Sequence, residues 1–267
     1  MKKLLVNLFV AAVFIFLLLP IVYIVLVSFM ATPVFAYPPS GFTLHWYQSL
    51  SPEFFDSLKV SVLVALGAAV LSAILGTLTA LAVVRGSFPG RGVLMQLSTA
   101  PVAVPAVVIG VALYQAGLVV WGLTGVEVVG SLWGLVLAHT ILGIPFVVRA
   151  VVASHGIFDV SQEEAALNLG ASVAVTFRRV SLRGILSGIA AGTVLAFLVS
   201  FDDLPVALFI APSDAPTFPL KIFTTIEFSF THDVMVVSSI VIMLSFVLMG
   251  ILEWLVGLDK IFGSEVR

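Results

Sequence analysis

Six apolar stretches, each long enough to cross a lipid bilayer as an α-helix, constrain this chain more than any other feature. Such a helix needs about 20 residues to span roughly 30 Å of hydrocarbon. The chain is 61% hydrophobic and only 10% charged, which leaves too few polar side chains to cover a soluble globule of 267 residues. The sequence therefore predicts an all-α, polytopic membrane protein. The six predicted spans are residues 4–30, 58–84, 93–120, 131–153, 184–210 and 234–258.

The basic residues are divided unequally between the two sides of the predicted membrane. Lys and Arg accumulate in short cytoplasmic loops, and a cytoplasmic amino terminus places ten of the twelve basic residues on that side. Those ten are Lys2, Lys3, Arg85, Arg91, Arg149, Arg178, Arg179, Arg183, Lys260 and Arg267. Only Lys59 and Lys221 lie on the other side. The bias predicts that both termini and residues 154–183 are cytoplasmic.

The opposite side is acidic. Its acidic residues are Glu53, Asp56, Glu127, Asp202, Asp203, Asp214, Glu227 and Asp233. An acidic outer face suits a cationic solute or a partner protein. Acids follow the orientation rule only weakly, however, and they also keep outer loops soluble without any binding role. Both interpretations remain open.

Residues 154–183 form the longest polar interruption of the chain. Residues 162–169 have helix-forming composition, and the small side chains of Ala165 and Ala166 in the sequence EAALNLG (residues 164–170) allow another surface to approach closely. Gly170 then permits a turn that residues with a Cβ resist. The sequence predicts a short helix that ends at this glycine.

A second short helix is predicted over residues 172–182. At helical spacing, Val173, Phe177 and Val180 share an apolar side, with Arg178 and Arg179 at the polar edge. Such a helix would lie along the membrane face. An ordinary amphipathic loop helix has the same pattern, so the pattern alone does not establish a docking role.

This segment resembles the E-A-A-x-x-x-G cytoplasmic loop of permease subunits of ATP-binding-cassette importers. In that family the short helix around Glu-Ala-Ala sits in a cleft of a separate ATPase subunit and transmits its closure to the membrane helices. The resemblance implies a polar contact from Glu164 to the ATPase and a turn at Gly170. The coupling residues implied are Glu164, Ala165, Ala166, Gly170, Phe177 and Arg178.

The chain departs from the family pattern just after this loop. Arg183 stands where a proline is usual, and Ser187 stands where a second proline often occurs. Because proline interrupts a helix and arginine does not, the helix is expected to extend through Arg183 rather than break there. The bend into the fifth span is therefore not fixed by the family pattern.

The resemblance covers most of the chain. Residues 100–105 (APVAVP), 200–203 (SFDD) and 218–223 (FPLKIF) are similar to the second permease of spermidine/putrescine importers. The fold implied is the type I importer permease fold, a single domain over residues 1–267. The solute implied is a polyamine, with another small amine, an aminophosphonate or a metal chelate as alternatives.

The resemblance also implies partners. The chain has no G-x-x-x-x-G-K-[ST] phosphate loop, so it is expected to be a transport subunit and not an enzyme, with ATP and Mg²⁺ bound by two copies of a partner ATPase. A second, related permease and a periplasmic or extracellular solute-binding protein complete the expected importer. No nucleic acid partner is expected, and the expected location is the bacterial inner membrane, in contact with its lipid.

The candidate residues of the translocation path are Pro101, Pro105, Phe201, Asp202 and Asp203. Proline frees carbonyl groups within a span, which marks either a pathway or a simple kink. Acids at the end of a span are costly unless they face water or a partner. The acidic pair therefore has three interpretations: a gate for an ammonium group, a structural turn where the fifth helix ends near Pro205, or acid/base catalysis.

Two functions from other classes compete with the importer. An ion-coupled secondary transporter is expected to have matching halves with discontinuous helices. An intramembrane enzyme needs a nucleophile or a metal centre, and no histidine, serine or metal-ligand spacing accompanies the acidic pair in the sequence. The loop containing Glu164 argues against both.

Overall fold

A computed structural model describes residues 2–32, 41–228 and 232–256 of the chain, with the backbone alone at 2, 248, 249 and 251–256. Lys260, Arg267 and the end of the predicted sixth span lie outside the described residues. Within the described ranges there is no strand, and β pairing is limited to an isolated antiparallel bridge between Met30 and Phe42. The helices are α1 (Lys2–Ser28), α2 (His45–Gln48), α3 (Pro52–Arg85), α4 (Arg91–Thr99), α5 (Ala106–Thr124), α6 (Leu132–Ile157), α7 (Ser161–Asn168), α8 (Val173–Thr176), α9 (Leu182–Gly184), α10 (Leu186–Phe201), α11 (Ala207–Ile210), α12 (Phe218–Phe228) and α13 (His232–Val256).

The predicted all-helical membrane protein is confirmed, but with fewer established spans than six. Four helices, α1, α3, α5 and α6, are long and apolar enough to cross a membrane. A fifth span results if the helical stretch Val173–Gly184 and α10 are counted together. In α13 the apolar part with described side chains, His232–Val247, is shorter. Both the sixth span and the single domain over residues 1–267 stay predictions.

The third predicted span, residues 93–120, is wrong in its boundaries. Helix α4 ends at Thr99, a 3-10 turn covers Ala100–Ala103, and α5 begins only at Ala106. Val104 is extended, at φ −99° and ψ 134°, because the ring of Pro105 excludes the helical conformation from the residue before it. The prolines therefore separate two helices, and α5 alone is the membrane-length helix.

The fifth predicted span, residues 184–210, also ends early. Helix α10 stops at Phe201, and α11 is a separate short helix after Pro205. Proline lacks the N–H that would continue the helical ladder. The structural-turn interpretation of the acidic pair describes this backbone correctly.

Residues Asp56–Leu220 form one compact unit built around α6. Glycines allow its neighbours to approach closely: a Cβ at Gly192 of α10 would lie 2.6 Å from Cα of Val147, and one at Gly76 of α3 would lie 2.7 Å from Cβ of Val147. Two apolar clusters fill the space around this helix. They consist of Val64, Leu135, Ala138, Leu142, Val206, Ala207 and Ile210, and of Ala80, Val147, Val148, Val151, Ile185 and Ala196.

The described residues of Met1–Phe55 and Lys221–Glu253 form a second unit. Here the hydroxyl of Tyr47 lies 2.7 Å from the hydroxyls of both Ser28 and Ser239, which joins α1 to α13. The indole of Trp46 donates to the carbonyl of Met30. The apolar side chains of α1 are almost all exposed within the chain, as expected for a helix whose surroundings are lipid or another subunit.

Candidate functional site

Residues 158–185, which connect α6 to α10, contain all the predicted coupling residues and are called here the linking segment. It begins with α7. The carboxylate of Asp159 accepts a hydrogen bond from the N–H of Ser161 at 2.9 Å, and hydrogen bonds from Ser161 lower the pKa of Asp159. Glu163 and Glu164 lie in the first turn of the helix, where negative charge is favourable because of the helix dipole.

Helix α7 ends in a Schellman motif at Gly170. The N–H of Ala171 donates to the carbonyl of Ala166 at 3.1 Å, and the N–H of Gly170 donates to the carbonyl of Leu167 at 2.9 Å. Gly170 has φ +85°, in the left-handed region that residues with a Cβ resist. The turn predicted from the sequence is therefore present.

The linking segment exposes apolar side chains. Leu169 is 89% exposed and Val173 is 76% exposed. The predicted contact residues Glu164, Ala165 and Arg178 are exposed beside them. Apolar side chains on a polar loop mark a surface that another protein or a membrane covers.

The second predicted helix is present, with a local irregularity. Helices α8 and α9 run as one helical stretch through a π-helical turn over Phe177–Ser181. The helix continues through Arg183, as expected, and the axis then turns by 60° before α10. Gly184 allows the ring of Phe158 to pack against this bend, because a Cβ there would overlap that ring. A π-helical turn before Arg183 and a glycine after it thus flank the position where the family pattern has proline.

An open cavity of about 330 Å³ lies beside the start of α7. Ser154 and Phe158 line it from one side, Gln162 from α7, and Gly184 and Ser187 from the bend. The hydroxyls of Ser154 and Ser187 lie 3.4 Å apart. Serine in place of proline at position 187 therefore leaves a polar group at the edge of this cavity.

Arg85, the last residue of α3, reaches the linking segment from outside it. One guanidinium nitrogen donates to Oε1 of Glu163 at 2.5 Å, and Nε donates to Nε2 of His155 at 3.3 Å. The guanidinium carbon also lies 5.9 Å from the ring centroid of Phe177. Four elements therefore meet at one side chain: α3, α6, α7 and the π-helical turn.

The environment of Glu163 favours its ionised form. Burial raises its pKa, but the nearby hydroxyl of Ser181, the hydrogen bond from Arg85 and the charges of Arg85 and His155 outweigh burial and lower the pKa overall. Its neighbour Glu164 is exposed. Successive residues on a helix point about 100° apart, so the two glutamates face different surroundings.

The two aspartates after α10 also differ in their exposure. Asp202 is exposed, whereas Asp203 is buried. The carboxylate of Asp203 accepts hydrogen bonds from the N–H groups of Val206 at 2.9 Å and Ala207 at 3.1 Å. It thereby caps the turn that leads into α11.

A histidine and a serine accompany Asp203, contrary to the sequence-based expectation. Nδ1 of His139 lies 2.8 Å from the hydroxyl of Ser200, and its Nε2 lies 3.5 Å from the carboxylate of Asp203. His139 is 0% exposed and the other two are buried. This Ser–His–Asp set lacks access for a substrate and holds α6, α10 and the α11 turn together. Among the described residues no cluster of three or more His, Asp or Glu side chains is placed to hold a metal ion.

The other predicted pathway residues are not gathered at one point. Phe201 is buried and stacks on Phe197, with ring centroids 5.8 Å apart. Pro105 is exposed and Pro101 is partly exposed, both at the break before α5. Helix α5 itself approaches the α11 turn at Gly110, where a Cβ would lie 3.0 Å from the carbonyl oxygen of Pro205.

Sequence reasoning missed the contacts of Arg85 and the pairing of His139 with Ser200. The position of Arg85 at the end of an apolar span was the only available signal, and it was used for membrane orientation alone. His139 is a histidine inside the fourth predicted span, but its partner Ser200 lies 61 residues away. No short-range pattern encodes such a contact.

Comparison with known families supports this architecture. A family model described as "binding-protein-dependent transport system inner membrane component" matches residues 72–258. The solved structure of a bacterial ABC transporter involved in the import of the acidic polysaccharide alginate contains a chain that superposes with a TM-score of 0.70. The two chains are 16% identical, over 94% of this chain and 95% of that one. The chain thus shares the fold of an importer permease.

Several curated relatives are similar over most of their length. The spermidine/putrescine transport system permease protein PotC of Escherichia coli K12 is 30% identical over 258 residues, which is 96% of this chain and 95% of the relative. The putrescine transport system permease protein PotI of the same organism is 28% identical, over 86% of this chain and 82% of the relative. Sulfate permease 2 of Chlamydomonas reinhardtii is 34% identical, over 73% of this chain and 52% of the relative.

Proposed function

The chain belongs to the family of inner membrane components of binding-protein-dependent transport systems, and from this premise we propose that it is one half of the translocation path of an ATP-driven polyamine importer. The names and coverage of two curated relatives support spermidine or putrescine as the solute. The eight acidic residues assigned to the outer side are compatible with a cationic solute. The alternatives are another small amine, an aminophosphonate or a metal chelate.

The observation that carries the coupling role is the linking segment. It combines a short helix ended by Gly170 at positive φ, exposed Glu164 and highly exposed Leu169 and Val173. An ATPase that contacts this surface would bury the apolar side chains and pair with the exposed charge. We assign the contact to Glu164, Ala165, Ala166, Gly170, Phe177 and Arg178.

In the translocation path, the two aspartates have different tasks. Asp202 is exposed, and its carboxylate is available to an ammonium group; Asp203 is committed to the N–H groups of the α11 turn and positions that turn. Phe201 packs behind the pair. Pro101 and Pro105 set the break before α5, and α5 in turn borders α11 at Gly110.

The complete importer requires other chains. Its proposed partners are a second, related permease, two ATPase copies that bind ATP and Mg²⁺, and a solute-binding protein at the outer face. The chain is a multi-pass protein of the bacterial inner membrane. We propose six spans with both termini cytoplasmic, an orientation that rests on the ten-to-two distribution of basic residues.

Uptake in cells that lack their own polyamine importers tests this function. The chain is expressed with its partner subunits, and uptake of labelled putrescine and spermidine is measured with unlabelled sulfate, amines and amino acids as competitors. We expect polyamine uptake that amines inhibit and that sulfate and amino acids do not. Glu164→Lys should abolish this uptake at equal expression. Absence of polyamine uptake at normal expression, or polyamine uptake that sulfate competes with, would contradict the proposed solute. Normal uptake by Glu164→Lys would contradict the docking surface.

A further inference from the structure

The charge bias explains why Arg85 lies on the cytoplasmic side, but neither the family motif nor the membrane topology explains its contacts. Its side chain is 33% exposed, and the paired carboxylate of Glu163 is 17% exposed. The pair joins residues 78 positions apart in the chain. Ion pairs shielded in this way are screened less by solvent than fully exposed pairs, which contribute little.

The contacts of Arg85 match the geometry of a guanidinium group. The planar group donates to Glu163 and to the ring nitrogen of His155, and it lies over the face of Phe177. Lysine carries a compact charge without the fixed fork or the flat face that such a set of contacts requires. The site is therefore specific for arginine and not merely for positive charge.

We propose that Arg85 is a positioning residue that ties α7 to the end of α3, so that movement of α7 by a docked ATPase is passed to a membrane-spanning helix. This inference rests on the proposed function, since it assumes that α7 contacts an ATPase. The two adjacent glutamates have different roles. Glu164 is exposed towards a partner, and Glu163 is held inside the chain by Arg85.

Helix α3 is suited to carry such a movement. From Asp56 to Arg85 it is one uninterrupted helix, about 45 Å long at 1.5 Å per residue. Halfway along, the hydroxyl of Ser72 donates to the carbonyl of Thr140 at 3.1 Å, and Gly76 packs directly on Val147 of α6. A displacement at Arg85 therefore acts on the packed centre of the unit and not on a free loop.

The test uses the complete transporter, with both permeases, the ATPase and the binding protein, reconstituted in lipid vesicles. Arg85→Gln, Arg85→Lys and Glu163→Gln are compared with the control Arg91→Gln, which removes a nearby basic residue outside this cluster. Two quantities are measured: the amount of ATPase that co-purifies and the number of solute molecules taken up per ATP hydrolysed. Putrescine with its binding protein is the probe.

We expect the three variants to retain the ATPase but to lower uptake per ATP about tenfold, the effect typical of losing a charged hydrogen bond. Arg91→Gln should match the wild type. The exchange of charges, Arg85→Glu with Glu163→Arg, should recover part of the uptake per ATP that Arg85→Glu alone loses, which a general folding defect would not allow.

An unchanged uptake per ATP in Arg85→Gln would overturn the proposal, as would loss of ATPase binding in that variant while the wild type binds normally. No recovery in the charge exchange would also contradict it. If the wild-type chain itself recovers no ATPase, the failure belongs to the proposed function and thereby removes the basis of this inference.

Discussion

Replacement of Gly170 tests the link between backbone geometry and ATPase docking. Gly170 has φ +85°, and a Cβ there would meet no atom within 4 Å. The cost of a side chain is therefore conformational and not steric. For L residues this conformation costs about 1–2 kcal/mol, which corresponds to a factor of about 5–30 in the population of the native turn.

The expected order of ATPase affinity is wild type, then Gly170→Asn, then Gly170→Ala, then Gly170→Val. Asparagine tolerates the left-handed region better than alanine, and a β-branched residue tolerates it least. Gly156→Ala is the matched control, because Gly156 is helical, has negative φ, and a Cβ added there would likewise meet no atom within 4 Å. It should bind as the wild type does or slightly better.

Affinity is measured with the permease pair in lipid nanodiscs on a sensor surface and the ATPase in solution, and putrescine uptake is measured in parallel. Gly170→Ala is expected to weaken binding about tenfold, in line with about 1.4 kcal/mol. Equal affinity across the series, with normal uptake by Gly170→Val, would refute the claim that this turn presents the docking surface.

Three further predictions concern packing, the acidic pair and pH. Gly192→Leu should lower the free energy of unfolding by about 1–3 kcal/mol, because the larger side chain overpacks against α6. The melting temperature in detergent should fall accordingly. Gly122→Ala is the control and should have little effect, because a Cβ at Gly122 meets open space. Asp203→Ala should destabilise the chain by about 1–3 kcal/mol, because two buried N–H groups lose their acceptor. Asp203→Asn should retain most of the stability. Equal melting temperatures for Asp203→Ala and the wild type would contradict the capping role. The pKa of Glu163 is lowered from its ordinary value of 4.5, so the stability that its charge contributes is complete above pH 4.5 and is lost as the pH falls through the lowered pKa. Glu163→Gln should therefore have a lower melting temperature than the wild type at pH 7, and this difference should disappear in acid. A difference that grows in acid would contradict the assignment.

Local features of the sequence predicted most of the helices and the linking segment. Apolar runs longer than a bilayer is thick permit little besides helices, because hydrocarbon offers no partner for a free backbone N–H. Gly170 was identified by the same local reasoning, since few other residues end a helix at positive φ. Pro101 and Pro105 were predicted to lie within one span, as a kink or as part of a pathway, because hydropathy does not distinguish a bent span from two helices.

Contacts between distant residues could not be predicted in this way. Arg85 and Glu163 are 78 residues apart, and His139 and Ser200 are 61 apart. Their meeting depends on how α3 and α10 pack on α6, which is determined by glycines such as Gly192 that allow helices to approach. The sequence contains those glycines but does not state which helix each one faces.

Co-purification followed by an ATPase assay tests whether this chain couples a separate ATPase to a polyamine path. The chain is extracted in mild detergent, its partners are identified, and ATP hydrolysis is measured with and without putrescine-loaded binding protein. A second permease and an ATPase are expected in the eluate, with hydrolysis that the loaded binding protein stimulates and that Glu164→Lys abolishes. A chain that purifies without an ATPase, or hydrolysis indifferent to the loaded binding protein, would contradict it.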